Sequence, residues 1–533
     1  MCGVSGIWGQ LDEHLVRAMT AKLAHRGPDA EGVHVNQTCG MLGHRRLSIM
    51  DPEGGDQPIY NEDGSAAIVG NGEIYNFAAL RQQLQPRHRF RTSSDTEAIL
   101  HLFEDEGANV VRRLDGMFAF AIAEGDTLFL ARDPIGIKPL YYGLRSEGTA
   151  NQAIYFASEL KALADWTDEA KEFPPGTYYH PAQGFVSYYE VPDRVPQDLP
   201  LTVRLQRLRQ TLEDAVIKRT MSDVPWGAFL SGGLDSSIIS AIVRQQVDEL
   251  HTFSVGIEGS RDLEAARLAA RHIGSIHHEY TLTVEEVWKE LPRIVYSLES
   301  FDQDLVRNSI PTYFCSRLAA EYVKVILTGE GADELFAGYP YYRTIANPAE
   351  LHAELRRSIA TLHNINLQRV DRATMAHGLE GRVPFLDVAL IDLAQTIPLE
   401  LKLYDAGRGH RVEKWILRKA CEDLLPAEIL WRGKEQFDEG SGTVDIIDHA
   451  LQAAMPDVDF QAYTARYPDA QLRSAEECFY HKLLNESFAH PEVVLKNVAR
   501  WAQRPPFNGH PASPGVGSDS ENARDSVSLP PRG

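Results

Sequence analysis

Short apolar runs broken by turn residues fill the first 190 positions, and a strand–helix alternation replaces them from about residue 201. In the first stretch GMFAFAIA (116–123), the turn EGD and TLFLARD (127–133) predict an antiparallel hairpin. GVSGIWG (3–9), AAIVGNGEIYN (66–76) and AIYFASE (153–159) are further strand candidates. Two helices are expected here, near 12–25 and 95–106, the second with Asp95 as its cap. VPDRVPQDLP (191–200) is Pro-rich, polar and aperiodic, and reads as a linker.

Beyond the linker, a helix is expected over 202–220 and an apolar strand over 226–230, running into SGGLDSS (231–237). A helix over 237–247, a strand over 251–257, a helix over 262–274 closed by Gly274 and a strand over 277–283 follow. The next helix starts near 284, with Thr283 and Glu286 in capping-box spacing, and VKVILTG (323–329) is another strand. Repeated strand–helix–strand units imply a parallel sheet with ligands at the carboxyl ends of its strands. Residues 350–500 read as mostly helical, and the Pro/Gly/Ser-rich tail from 503 as disordered. The expected divisions are 1–190, a linker 191–200, 201–502 and a tail 503–533.

Bulk properties narrow the function. A chain of 533 residues has room for about two to four domains, and 43% hydrophobic with 24% charged residues is ordinary for a globular protein. With 53 Lys+Arg against 75 Asp+Glu the formal charge is −22, which argues against nucleic acid as the main partner. Cys2, Cys39, Cys315, Cys421 and Cys478 are scattered, as expected for free thiols in a reducing cytoplasm. No apolar run is long enough to span a membrane and the N-terminus lacks signal-peptide character.

Cys2 follows the initiator Met. Loss of Met1 would put a thiol and a free α-amine on one residue, so the amine could serve as the base for its own side chain. Alone, Cys2 reads as an incidental thiol, Arg46 as a surface ion-pair residue, Asp95 as a helix cap and Asn71-Gly72 as a hairpin turn. Together, MCGVSGIWG, HRGPDAEG (25–32), HRRLSIMD (44–51), NGEIYN (71–76), SSDTE (93–97) and RDPIGIKPLYYG (132–143) resemble the class II glutamine amidotransferases, the N-terminal-nucleophile glutaminases. That resemblance implies an αββα sandwich with Cys2 as nucleophile. It implies that Arg46 pairs with the glutamine α-carboxylate in a pocket built by Leu47, Ser48, Ile49, Met50 and Glu73, and that Asp95 takes the α-amino group. Asn71 and Gly72 would form the oxyanion hole.

SGGLDSS is the second chemical signal. Gly232 and Gly233 allow close backbone approach to a phosphate, the helix start offers N–H groups, and Ser231, Ser236 and Ser237 add hydroxyls. Asp235 suits a Mg²⁺ ligand, though a glycine turn with Asp235 as cap fits the same letters. With TGEGADELFAGY (328–339), the loop resembles that of the ATP pyrophosphatases, a parallel-sheet α/β fold. With EFPPGTYY (172–179), EGRVPFLD (380–387) and WRGKEQF (431–437) added, residues 1–440 resemble the glutamine-hydrolysing asparagine synthetases. The resemblance implies that Leu230 and Val255 frame the nucleoside, Thr328 and Gly329 line the nucleotide pocket, and Asp235 and Asp333 bind Mg²⁺. Glu330 would assist ammonia attack, Lys434 would neutralise the phosphates, and Arg307 would meet the acceptor or phosphate; singly, Arg307 and Lys434 also read as solvated surface cations. Aspartate as acceptor, ATP, Mg²⁺ and a homodimer are implied with it. One departure stands out: FDQDLVRNSIP (301–311) carries Asp304 and Leu305 where the family often has two threonines. An extra carboxylate there would repel an anionic acceptor or demand another cation, which keeps a different carboxylate acceptor open. A non-catalytic glutamine- or ATP-binding regulator is the reading from another class.

Overall fold

The computed structural model describes residues 2–36, 39–145, 153–407, 410–433, 437–442 and 460–501. Lys434 and the tail from 503 lie outside them.

The N-terminal half holds two antiparallel six-stranded sheets. The first is built from β1 (Cys2–Trp8), β2 (Ala30–Asn36), β3 (Gly40–Arg46), β8 (Tyr141–Arg145), β9 (Ala153–Ala157) and β10 (Lys171–Glu172), in the order β10-β8-β9-β1-β3-β2. The second is built from β4 (Ile59–Tyr60), β5 (Ala66–Ile74), β6 (Gly116–Glu124), β7 (Thr127–Arg132), β11 (Thr177–His180) and β12 (Gly184–Ser187), in the order β12-β11-β7-β6-β5-β4. Their inner faces meet through Val4, Leu42 and Phe156 from one and Val69, Ala121 and Leu130 from the other. Alternation along each strand leaves a second apolar face for helices. Helix α1 (Glu13–Ala21) packs Leu15, Val16 and Met19 against Ile7 and Met41. On the other side α2 (Phe77–Leu84) and α3 (Asp95–Glu106) cover Ile68, Phe118 and Phe120. The result is a four-layer αββα sandwich.

Strands β2, β3, β4, β8, β10, β11 and β12 were not among the expected ones, and two further details differ from the sequence reading. Helix α2 was not expected, because FAALRQQL follows a strand directly and places only Leu80 and Leu84 in the core. The cap of α3 is Ser94, whose side chain accepts from the Thr96 N–H at 3.3 Å; Asp95 is the first helical residue.

Residues 191–200 have no regular structure and lie against the second half, where Asp193 accepts from His352 and Arg356 at 2.9 Å. After α4 (Leu201–Lys218) come β13 (Trp226–Phe229), α5 (Leu234–Arg244), β14 (His251–Gly256), α6 (Arg261–Ile273) and β15 (Ile276–Thr281). Then follow α7 (Val284–Leu298), α8 (Gln303–Ala319), β16 (Val325–Leu327), α9 (Ala332–Phe336), α10 (Pro348–Ala360), α11 (Asn366–Met375) and β17 (Glu380–Arg382). The five strands form an all-parallel sheet in the order β15-β14-β13-β16-β17. The order reverses direction at β13, and crevices at such switch points hold ligands in open α/β sheets. Strand β17 lies in a region expected to be helical. Its three residues include two buried charges that pair with each other, Arg382 Nε to Glu380 Oε1 at 2.6 Å, and Arg382 also donates to the Arg219 carbonyl at 2.7 Å. No helix among the described residues is long and apolar enough to cross a membrane.

Candidate active sites

Cys2 opens β1, at the edge of the glutaminase-like sandwich that faces the second half, and is 7% exposed. Burial pushes its thiol up from the ordinary value, against the pull of the N-terminal charge, the Leu47 backbone and Arg46. The Cys2 backbone N–H donates to Asn71 Oδ1 at 2.9 Å. Asn71 is 1% exposed and its Nδ2 has no partner among the described residues, so a buried donor stands ready beside the thiol's own backbone. Asn71 and Gly72 are not in a turn: they lie inside β5, paired with Ala119 and Phe118 of β6. Gly72 has φ +157°, and a Cβ there would sit 2.0 Å from the Met117 carbonyl oxygen, so no side chain fits.

Asp95 shares a small cavity with Asn71 and Gly72. Its Oδ2 accepts from the Ile74 N–H at 2.7 Å, and burial lifts its carboxyl to about 6. Glu73 is also buried; desolvation, with Glu380 and Asp95 as neighbouring charges, holds its carboxyl well above the usual range. Arg46 donates to Asp56 Oδ1 at 2.6 Å, to the Asp51 carbonyl at 2.6 Å and to the Met50 and Pro52 carbonyls. Leu47 and Ile49 are buried and pack, with Met50, on Val325 and Met375 of the second half, while the Ser48 N–H donates to Asp29.

The second site is a cavity of about 180 Å³ at the carboxyl ends of β13, β14 and β16. Leu230, Ser231, Gly233, Asp235 and Ser236 line it from the β13–α5 turn, and Thr328, Gly329, Glu330 and Asp333 from the β16–α9 turn. Ser231 Oγ lies 3.2 Å from Ser236 Oγ and accepts from the Gly233 N–H at 3.3 Å. Asp235 does not cap α5. Its Oδ2 and the Asp333 Oδ1 both lie 2.6 Å from Lys414 Nζ, so two carboxylates from separate turns converge on one cation. Glu330 Oε1 accepts from Arg369 of α11.

Four residues sit differently from the sequence expectation, the first being Ser237, which is fully buried and does not line the cavity. Gly232 does not line the cavity: its φ is +71° and a Cβ would meet the Ala265 backbone of α6 at 2.3 Å, so this glycine serves helix packing. Val255 is fully buried in the core, while Phe253 and Ser254 of the same strand line the cavity. Arg307 is outside the cavity and bound to Glu476 at 2.6–3.1 Å, whereas Asp304 lines it and meets Arg473 at 3.3 Å.

The two sites are joined by buried charge. Arg26 Nε donates to the Cys2 carbonyl at 3.0 Å, and its Nη atoms reach Glu159 at 2.6 Å and Asp371 of α11 at 2.7 Å. Helix α11 therefore touches Cys2 through Asp371 and Arg26, and the cavity through Arg369 and Glu330.

Comparison with known proteins agrees with this pair of sites. Residues 1–179 match the model of the glutamine amidotransferase domain, and residues 207–350 and 344–503 match that of asparagine synthase. The glutamine-hydrolyzing asparagine synthetase 2 of Arabidopsis thaliana is 40% identical over 92% of this chain and 87% of its own length. The enzyme of the same name from Oryza sativa subsp. japonica is 40% identical over 94% and 87%. The chain belongs to the asparagine synthase family.

Within this member of the asparagine synthase family, sequence reasoning missed Lys414 and Arg369. Lys414 is 2% exposed and holds φ +54°, a left-handed conformation rare for a lysine. The one signal available was its place directly before the apolar turn WILRKA, since a cation at a helix start opposes the helix dipole. Arg369 carried none, because its partner Glu330 is 39 residues away.

Proposed function

We propose that this protein makes asparagine from aspartate, glutamine and ATP. The observation that carries the reading is the coexistence, in one chain, of a buried Cys2–Asn71–Gly72 constellation and a cavity with paired carboxylates at a parallel-sheet switch point. Cys2, freed of Met1, attacks the glutamine amide, its α-amine passes the thiol proton to the departing ammonia as the C–N bond breaks, and water then releases glutamate from the glutamyl thioester. Asn71 Nδ2 and the Gly72 N–H receive the charge of the tetrahedral intermediate. Arg46 exchanges its Asp56 partner for the substrate α-carboxylate; Asp56 is 69% exposed, and such a pair is weakly held. Asp95 holds the α-ammonium, and the 47–50 stretch and Glu73 shape the pocket.

In the second cavity ATP lies over the Ser231–Ser236 turn, with Leu230, Thr328 and Gly329 around the nucleoside. Val255 contributes from the core behind it, and Gly232 sets the turn's approach to α6. Asp235 and Asp333 fit Mg²⁺: their hard carboxylate oxygens already converge on the Lys414 ammonium, and such sites take one or two carboxylates with phosphate oxygens. The ion would neutralise the pyrophosphate leaving group. The aspartate side-chain carboxylate is adenylated with release of pyrophosphate. Ammonia then displaces AMP, with Glu330, set by Arg369, taking the proton. Lys434 is assigned to the phosphates by resemblance alone. The α11 contacts support a protected passage between the sites, which ammonia needs because bulk water would protonate it. The resemblance carries a homodimer with it, and five free cysteines fit the cytoplasm.

A second reading keeps the chemistry and changes the acceptor. Asp304 in the cavity and Arg307 bound to Glu476 favour an acceptor with less net negative charge than aspartate. The two-site scheme is tested by paired variants. Cys2→Ala should abolish glutamine use and leave ammonia-dependent synthesis, and Asp235→Ala should stop pyrophosphate release and spare glutamine hydrolysis. Loss of both activities in a folded Cys2→Ala protein would contradict it.

A further inference from the structure

At the far end of α3 from Asp95, two histidines and two carboxylates converge from three segments. Glu62 lies between β4 and β5, His88 between α2 and α3, and His101 and Glu104 lie three residues apart on α3, on one helix face. His88 Nδ1 is 3.5 Å from Glu62 Oε1 and 3.6 Å from Glu104 Oε2. His101 Nδ1 is 2.8 Å from Glu104 Oε2 and 3.8 Å from Glu62 Oε2. One ligand atom from each of the four lies within 4.8 Å of all the others. Tetrahedral zinc, with bonds of ~2.0–2.1 Å, sets its ligand atoms about 3.4 Å apart, so shifts on the order of 1 Å complete the site.

The outer nitrogens point the same way. His88 Nε2 is 3.2 Å from Asp105 Oδ1, and His101 Nε2 faces Glu97 Oε1 at 3.6 Å. Each ring thus turns Nδ1 inward and Nε2 toward another carboxylate, as metal-ligating histidines do when an outer carboxylate fixes their tautomer. His101 is fully buried, and its Nε2 has no hydrogen-bond partner among the described residues. The two rings stack with centroids 4.5 Å apart, which two imidazolium ions would resist. Charge also favours a cation: Glu62, Glu97, Glu104 and Asp105 face the cluster, Arg87 pairs with Asp105 Oδ2 at 2.7 Å, and the other three accept from neutral donors, Glu62 from the Arg89 N–H, Glu97 from the Thr92 N–H and Glu104 from Asn61.

We propose that Glu62, His88, His101 and Glu104 form a zinc site that clips the 61–64 and 85–89 segments onto α3. This helix begins at Asp95, so the clip also steadies one wall of the small cavity beside Asn71. The site does not depend on the synthesis reaction.

The test uses the full chain, stripped with a chelator and titrated with zinc chloride, with bound metal and thermal melting as readouts. Expected are one zinc per chain, a higher melting temperature with zinc, and no such rise with magnesium, which imidazole nitrogens do not favour. Glu62→Gln, at a half-exposed position, and His88→Asn should each weaken zinc binding at least about tenfold. Co²⁺ should give tetrahedral visible bands that both variants lose. Equal zinc affinity in wild type and Glu62→Gln, or no zinc bound by the wild type, would overturn the proposal and leave the cluster an ion-pair network only.

Discussion

Asn71 Oδ1 accepts the Cys2 backbone N–H at 2.9 Å, and the buried Asn71 Nδ2 is left with no hydrogen-bond partner among the described residues. A buried amide donor left unpaired costs about 1–3 kcal/mol, so its retention beside a thiol marks a function. Asn71→Ala should lower the rate of glutamine hydrolysis by about 10²–10³-fold with little change in ammonia-dependent synthesis. Steady-state assays with each nitrogen donor check this; an equal loss with both donors would place Asn71 in the framework alone.

Asp95 gives a pH dependence with a definite sign. Its carboxyl sits at about 6 in the fold, against an ordinary 3.8, chiefly through burial. The folded chain therefore holds this proton more tightly than the unfolded one. The group favours the fold most at low pH, and that contribution is lost as pH rises from about 4 to about 6. Binding of an α-ammonium needs the carboxylate, so KM for glutamine should climb as pH falls through about 6. Asp95→Asn should show a raised KM that no longer follows pH over that range. A wild-type KM that stays flat from about pH 5 to 7 would remove Asp95 from glutamine binding.

Lys414 separates two carboxylates that would otherwise face each other. Lys414→Met should cut pyrophosphate release by roughly 10²-fold or more while glutamine hydrolysis continues. The variant should also melt lower than wild type, and added Mg²⁺ should raise its melting temperature more than that of wild type, because the ion takes the place of the ammonium. Melting curves with and without Mg²⁺ read this directly; equal Mg²⁺ shifts would argue against a shared cation position.

Asp304 tests the acceptor. Arg473 meets its carboxylate at 3.3 Å but is also held by Asp302 at 3.0 Å and by Glu477, so Asp304 keeps part of its charge toward the cavity. If aspartate is the acceptor, Asp304→Asn should lower KM for aspartate severalfold by removing a like charge. A rise instead would set Asp304 against an ammonium group of the acceptor, which aspartate's own α-ammonium can supply, and would rule out like-charge repulsion at this position.

Much of this arrangement is legible in the sequence because its signals are local. SGGLDSS sits between an apolar strand and an apolar helix, and GMFAFAIA with TLFLARD closes a hairpin without help from elsewhere. What escaped depends on distant partners. Strand β17 reads as charge until Glu380 and Arg382 are seen to neutralise each other inside the sheet. Lys414 is one lysine among many until the β13–α5 and β16–α9 turns bring Asp235 and Asp333 to it. Gly232 carried the right residue type for a phosphate turn, yet its demand comes from the α6 backbone, which no local pattern reveals. The Arg26–Asp371 pair that ties α11 to Cys2 spans 345 positions and has no periodic signature at all.

The most direct test of the central claim is pyrophosphate release from ATP with Mg²⁺ and glutamine, measured with and without aspartate, with the amide product identified by mass. Release that depends on aspartate, with asparagine formed in equal amount, is the predicted result. Glutamine hydrolysis that continues while aspartate adds no pyrophosphate and no asparagine would contradict the account.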